Sequence, residues 1–317
     1  MDYIWLVAGL VLILLGANML TDGASALARR WGVSDLVIGL TVVAFGTSAP
    51  ELVISLMSAV EGHAELAVGN VVGSNIFNVL AIVGITALVR PIPVQRSVIG
   101  VDIPMVVLSA LVLLALGCGP WLGDGDGRVL WRADGIVLLM FFAIFMRYTF
   151  AQAKTGAAEA DTAVKPMPVV RSLLWVVLGL AGLVAGGDRF VAGASAIASA
   201  LGVSDAVIGL TVVAAGTSLP ELATSVVSAV KGKPGIAIGN VIGSNIFNIF
   251  MVLGLSATVR PLPFGDIGPV DLLVLTAACV AFWIVARFFK SCTVSRAEGA
   301  VMASAYVAYT AWLVINA

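Results

Sequence analysis

The sequence predicts an all-α membrane protein: about ten transmembrane helices in two inverted five-helix repeats, with helices 2 and 7 broken. Three observations predict it. Of the 317 residues, 60% are hydrophobic and only 11% charged, with a mean hydropathy of +1.09. That is more apolar surface than a water-soluble domain of this size can bury. The apolar residues form long continuous runs rather than the alternation of a membrane β-barrel. Finally, residues 32–93 match 202–263 at a constant offset of 170 without a gap, with 39 identities in 62 positions.

The runs place spans near 3–20, 36–60, 66–89, 98–117, 129–150, 170–187, 206–230, 236–259, 268–289 and 299–316. Span 1 follows Met1-Asp2 with no basic segment before it, so it reads as a retained helix rather than a cleaved signal peptide. Arg29-Arg30 come next, and the loops on that side hold about 13 basic residues against 4 on the other. By the positive-inside rule, both termini face outward, most simply across a cell (inner) membrane. The organisation is then a first repeat at 1–150, a polar, Ala-rich cytoplasmic linker at 151–169, and a second repeat at 170–317. Five spans per half is an odd number, so the second half must run in the opposite sense, an arrangement that places substrate sites at the repeat interface. Trp5, Trp121, Trp131 and Trp312 suit interfacial anchors.

Several functions are excluded. Seventeen basic against 18 acidic residues leave no basic field for a nucleic acid. There is no P-loop, cofactor motif or nucleophile–base pair, so no enzyme activity and no cofactor are expected. No obligatory protein partner is evident, and the bilayer itself is the expected surrounding. Cys118, Cys279 and Cys292 lack paired spacing and read as small apolar residues. Glu61, His63 and Glu65 read as a solvated turn, as does the stretch 123–127, which lacks the closing Glu of a Ca²⁺ loop. Asp22 and Asp188 read as caps or surface carboxylates.

The chemistry sits in the repeated block. Gly46-Thr47-Ser48-Ala49-Pro50-Glu51 lies mid-span and recurs as Gly216-Thr217-Ser218-Leu219-Pro220-Glu221. An ionisable group at that depth is costly and marks an ion or substrate path. Pro50 has no N–H for the Gly46 carbonyl, so the helix should break there. No Lys or Arg falls between Arg30 and Arg90 to neutralise Glu51 as a structural pair. Span 3 adds Ser74 and Asn78, four apart on one helix face, and span 8 adds Ser244 and Asn248. Gly69 and Gly73 indicate close packing only. Carboxylate, hydroxyl and carbonyl oxygens, with no His, Cys or Met among them, suit a hard cation such as Ca²⁺ rather than Zn²⁺ or Cu⁺.

These two blocks, Gly-Thr-Ser-x-Pro-Glu followed by Gly-Asn-x-x-Gly-Ser-Asn-Ile-Phe-Asn, resemble the paired alpha-repeats of the sodium/calcium exchangers, within the wider cation/calcium antiporter superfamily. The resemblance implies Na⁺ and Ca²⁺ as transported substrates, exchanged by alternating access. It implies metal-binding roles for Glu51, Glu221, Thr47, Ser48, Thr217, Ser218, Ser74, Asn78, Ser244 and Asn248, and for the carbonyls of Ala44 and Ala214. It also implies that spans 1 and 6 are long and slide across the core. Asn stands at 248 where some relatives, including potassium-dependent exchangers, carry Asp, which favours potassium-independent exchange. Electrogenic exchange is expected. H⁺/Ca²⁺ exchange through the same carboxylates, a passive cation channel and a non-transporting scaffold are the alternatives.

Overall fold

A computed structural model describes residues 2–118, 128–155, 167–201, 214–288 and 292–316. The expected linker falls mainly on 156–166, and the expected turn at 123–127 and Trp121 also lie outside the described residues.

The helices are α1 (Asp2–Trp31), α2 (Asp35–Thr47), α3 (Ala49–Glu61), α4 (Glu65–Val89), α5 (Val98–Gly117), α6 (Arg132–Thr155), α7 (Val169–Ala200), α8 (Leu219–Val230), α9 (Pro234–Val259), α10 (Pro269–Phe288) and α11 (Arg296–Asn316). With α2 and α3 counted as one broken span, nine of the ten expected spans are present among the described residues. The tenth, expected at 206–230, is described only from Ala214 onward. The chain is an integral, multi-pass membrane protein.

Two short ribbons display the inversion. β1 (Ile92–Pro93) pairs antiparallel with β4 (Thr293–Val294), and β2 (Val129–Leu130) pairs with β3 (Leu262–Pro263). Ile92 and Leu262 occupy matching positions of the two repeats, yet each belongs to a different ribbon. Helix α5 runs from the end that carries β1 to the end that carries β2. The corresponding loops therefore sit at opposite ends of the molecule, as an odd span count demands.

Helices α4 and α9 form the centre. Their apolar windows are 83% and 94% buried, against 33% and 28% for α1 and α7. The exposed faces of α1 and α7 carry Val7, Leu10, Leu14, Leu174 and Val177, as a lipid-facing surface requires. The main apolar core runs through α4, α5, α9 and α10. A second, separate cluster joins Ile13, Leu20 and Leu27 of α1 to Val176 and Leu183 of α7.

Hydropathy places spans 1 and 6 too short. Helix α1 has 30 residues and α7 has 32, each running on through charged positions such as Asp22 and Asp188. The extension holds because small residues, among them Ala24, Ser25 and Ala28, are buried there against neighbouring helices. At 1.5 Å per residue both exceed a hydrocarbon core of about 30 Å, so they must tilt or protrude. They pack antiparallel through glycines. A Cβ on Gly9, Gly16 or Gly23 would lie 2.5, 2.7 or 2.8 Å from backbone atoms of α7. Gly179 and Gly186 answer from the other side.

Asp102 on α5 and Asp271 on α10 occupy corresponding places but differ in surroundings. Asp271 accepts from the Tyr309 hydroxyl at 2.7 Å and the Gly268 N–H at 2.7 Å. Asp102 is fully buried and neither carboxylate oxygen has a partner among the described residues. Aligning Arg132-Ala133-Asp134-Gly135 with Arg296-Ala297-Glu298-Gly299 puts Phe145 where the second repeat has Tyr309, so the first repeat lacks that donor.

Two predictions concern stability. Gly16→Val forces α1 off α7 and should lower stability by about 1–3 kcal/mol, read as a fall in melting temperature in detergent. Gly182→Ala should be tolerated, because its Cβ would meet nothing closer than 3.4 Å. Asp102→Asn replaces a buried, unpartnered carboxyl with a group that cannot ionise and should raise the melting temperature or leave it unchanged. A fall would show that the carboxylate has a partner in the membrane.

Candidate ion-binding site

The break in span 2 follows from its sequence. Ser34 caps α2, accepting the Val37 N–H at 3.3 Å. After Thr47 the chain turns by 47° into α3. Pro50 sits in the first turn of α3, where a missing N–H costs nothing. Ser48 takes the non-helical angles φ −86° and ψ 9°, and Ser218, at the matching break before α8, takes φ −93° and ψ 7°. Both Ser-x-Pro-Glu segments thus start a new helix whose first turn presents a glutamate. A helix N-terminus favours a negative charge there.

Glu51 and Glu221 meet at the repeat interface. Both are fully buried, and each accepts a hydrogen bond from the serine that precedes the other's helix. No basic side chain pairs with either among the described residues. Basic residues around the two blocks serve elsewhere: the Arg90 Nη1 donates to the Val230 carbonyl at the end of α8 at 2.7 Å, Arg260 packs over Gly62 at the end of α3, and Lys231 and Lys233 pair with Asp22 and Asp35. The repeats exchange donors instead. The Ser48 hydroxyl donates to Glu221 Oε1 at 2.9 Å, and the Ser218 hydroxyl donates to Glu51 Oε1 at 3.3 Å. Each glutamate is left with Oε2 buried and unpartnered.

The segments that carry Asn248 and Asn78, Phe247–Leu253 and Phe77–Ile82, pack against the glutamate-bearing helices α3 and α8 respectively. Ser74 and Asn78 on α4 and Ser244 and Asn248 on α9 are at most 2% exposed. Ser74 Oγ, Ser244 Oγ, Asn78 Oδ1, Asn248 Oδ1 and Thr217 Oγ1 have no hydrogen-bond partner among the described residues. Buried polar groups in a packed interior are nearly always satisfied, so these orphaned oxygens are candidates for a cation's ligands. Thr217 lies beside Glu51, while Thr47 and Ser244 lie beside Glu221. Thr47 also donates to Asn240 Oδ1 at 3.0 Å. The Ala44 carbonyl closes the last turn of α2, accepting Ser48 N–H at 3.0 Å and the Thr47 hydroxyl at 3.4 Å. Ala214 opens the short turn Ala214–Gly216 ahead of the second break.

Sequence reasoning missed a supporting layer. Asn240 Nδ2 donates to the Glu221 main-chain carbonyl at 3.2 Å and to Ser225 Oγ at 3.1 Å. Asn70 repeats this with the Glu51 carbonyl at 3.4 Å and Ser55 Oγ at 3.0 Å. Two asparagines thus tie the glutamate-bearing helices to α4 and α9. The signal available was duplication itself, since Ser55 and Asn70 recur as Ser225 and Asn240. It also missed the π-helical turns Phe77–Ile82 and Phe247–Leu253, which carry Asn78 and Asn248. Such turns rotate a ligand out of normal helical register. Glu61, His63 and Glu65 are exposed between α3 and α4, well separated in character from this buried set. Asp22 forms an ion pair with Lys231 at 2.7 Å.

Because Asn240 makes three bonds and Asn70 two, Asn240→Leu should destabilise more than Asn70→Leu. Each orphaned buried group costs about 1–3 kcal/mol, and thermal melts of the two variants give the order.

Compared with known proteins, residues 1–151 and 171–315 match the family model described as sodium/calcium exchanger protein. The chain is 38% identical to the putative antiporter CaxA of Alkalimonas amylolytica, over 96% of both chains. It is 32% identical to the sodium/calcium exchanger MaX1 of Methanosarcina acetivorans, over 97% of both. A solved structure of the sodium-calcium exchanger NCX_Mj soaked with Na⁺ and Ca²⁺ superposes with a TM-score of 0.82 at 33% identity, covering 98% of this chain and 97% of that one.

Proposed function

The chain belongs to the sodium/calcium exchanger family, a family of transporters rather than enzymes, and from that premise we propose that it exchanges Na⁺ for Ca²⁺ by alternating access through the Glu51–Glu221 site. One observation carries the reading: two buried glutamates from opposite repeats, each with an unpartnered oxygen, stand among unpartnered hydroxyl and amide oxygens. That donor set is the one Ca²⁺ and Na⁺ prefer. One Ca²⁺ or two Na⁺ neutralise the two carboxylates. An occupied site can pass an apolar barrier at low cost, and an empty one, with two bare charges, cannot. Exchange rather than leak follows.

The hydroxyls and amides provide room for a third Na⁺, and energetics favour it. A tenfold Na⁺ gradient supplies about 1.4 kcal/mol per ion. Two ions sustain roughly a hundredfold Ca²⁺ gradient. A third ion makes the cycle move one net charge, worth about 2.3 kcal/mol per 100 mV, and lifts the total to about 6.4 kcal/mol, more than a ten-thousandfold gradient. We therefore assign electrogenic exchange. With amides at both Asn78 and Asn248, no third carboxylate is present to support K⁺ co-transport. The basic residues favour a cell membrane with both termini outside.

The second reading is H⁺/Ca²⁺ exchange, favoured by the closeness of the two buried carboxylates, which protons also neutralise. Purified protein in liposomes separates the two. Na⁺-loaded vesicles should accumulate radiolabelled Ca²⁺, faster with an inside-positive potential and without need of K⁺. Accumulation driven by a pH gradient and indifferent to Na⁺ would establish proton coupling instead. Ca²⁺ flux that continues with no counter-cation opposite would mark a channel.

A further inference from the structure

Asn is an ambivalent ligand. Its amide oxygen attracts a cation and its NH₂ group repels one, and a half-turn about the last side-chain bond exchanges them at almost no steric cost. A carboxylate at the same position presents oxygen either way. With Asn at 248, the site needs something to hold the oxygen inward. We propose that Asn75 is that orienting residue, acting on Asn248 from the opposite repeat. The proposal rests on the reading of this region as a cation site.

The chain of bonds that does this has one possible direction. Asn75, on α4, is fully buried, and its Nδ2 donates to the main-chain carbonyl of Asn245 on α9 at 3.2 Å. A main-chain carbonyl only accepts, so the NH₂ group of Asn75 must point to it. The Asn75 oxygen therefore faces the other way and requires a donor. The donor is Asn248 Nδ2, at 3.1 Å. With its NH₂ group engaged, Asn248 is left with Oδ1 for the site, and Oδ1 is among the buried oxygens without a protein partner. A fixed backbone carbonyl of α9 thus sets an amide on α4, which in turn sets an amide one turn further along α9.

The first repeat lacks this relay. The counterpart of Asn75 is Asn245, whose Nδ2 turns back to the Val241 carbonyl of its own helix at 2.7 Å rather than crossing to α4. Both amide atoms of Asn78 are without partners among the described residues. The two amides of the site are therefore unequal. Asn248 has a fixed polarity and Asn78 does not, although the two peptides around them have the same sequence, Gly-Ser-Asn-Ile-Phe-Asn.

The test separates orientation from simple support, because Asn75 also satisfies the Asn245 carbonyl and its loss will cost stability on that count alone. Ca²⁺ is titrated into the purified full-length chain by calorimetry, with ion-free melting temperatures measured in parallel. Asn75→Leu is compared with the unsubstituted chain, and the double variant Asn75→Leu/Asn248→Asp with the single variant Asn248→Asp. Removing the relay should weaken Ca²⁺ binding by about tenfold or more when Asn248 is retained. It should not weaken binding in the Asn248→Asp background, where both oxygens of the carboxylate serve equally and Asn75 Oδ1 has already lost its donor. If Asn75→Leu does not fold, Asn75→Ala makes the same comparison. Equal losses in both backgrounds, or no loss in either, would overturn the relay while leaving the cation site standing. Absence of Ca²⁺ binding in the unsubstituted chain would overturn the cation site and the relay together.

Discussion

Two buried carboxylates from opposite repeats, with no basic partner among the described residues, are the constraint to which the rest of the structure answers. Hydroxyl donors from the opposite repeat reach one oxygen of each glutamate, Ser48 to Glu221 and Ser218 to Glu51. They offset part of the desolvation cost but bring no positive charge to the pair. A buried like-charged pair persists only where something positive completes it. On the proposed reading, the broken helices, the braces from Asn70 and Asn240 and the orphaned oxygens of α4 and α9 keep that completion open to a mobile cation.

Inverted duplication provides this economically. Each repeat makes half a site and the donors for the other half, so neither glutamate is satisfied without the opposite repeat. The two bodies of the protein differ in how they are held. The central helices share one continuous apolar core, whereas α1 and α7 are locked to each other through backbone-to-backbone glycine contact and meet the core in a second cluster that includes Ile38 and Val43 of α2 and Ile236 of α9. Links from α1 to α8 include the Lys231–Asp22 ion pair and the Thr21–Ser228 hydroxyl pair at 3.0 Å. Glu61 and Ala192 hold the corresponding places in the other half, so the ion pair exists on one side only. A partly exposed ion pair is worth little.

Much of this was legible because the chain states it twice. The span count, the odd parity, the two breaks and the glutamates all follow from reading one block against its copy, and so does the family. What was not legible has specific causes. Hydropathy ends α1 and α7 at their first charged residues, but the Ala, Ser and Gly positions beyond are buried against helices that no local window can see. The π-helical turns under Asn78 and Asn248 have no compositional mark. Asn70, Asn75, Asn240 and Asn245 were visible as duplicated residues, yet whether a buried amide faces a substrate or braces a neighbour depends on its partners. For Asn70, Asn75 and Asn240 those partners lie on another helix, and only Asn245 bonds within its own.

The central claim is that Glu51 and Glu221 form one site with one charge from each repeat. Na⁺-driven Ca²⁺ uptake into liposomes, measured for Glu51→Gln and for Glu221→Gln alongside the unsubstituted chain, tests it most directly. Both variants should fold and insert normally and both should lose exchange, because one remaining carboxylate cannot neutralise either substrate load. Near-normal exchange in either variant would contradict the account.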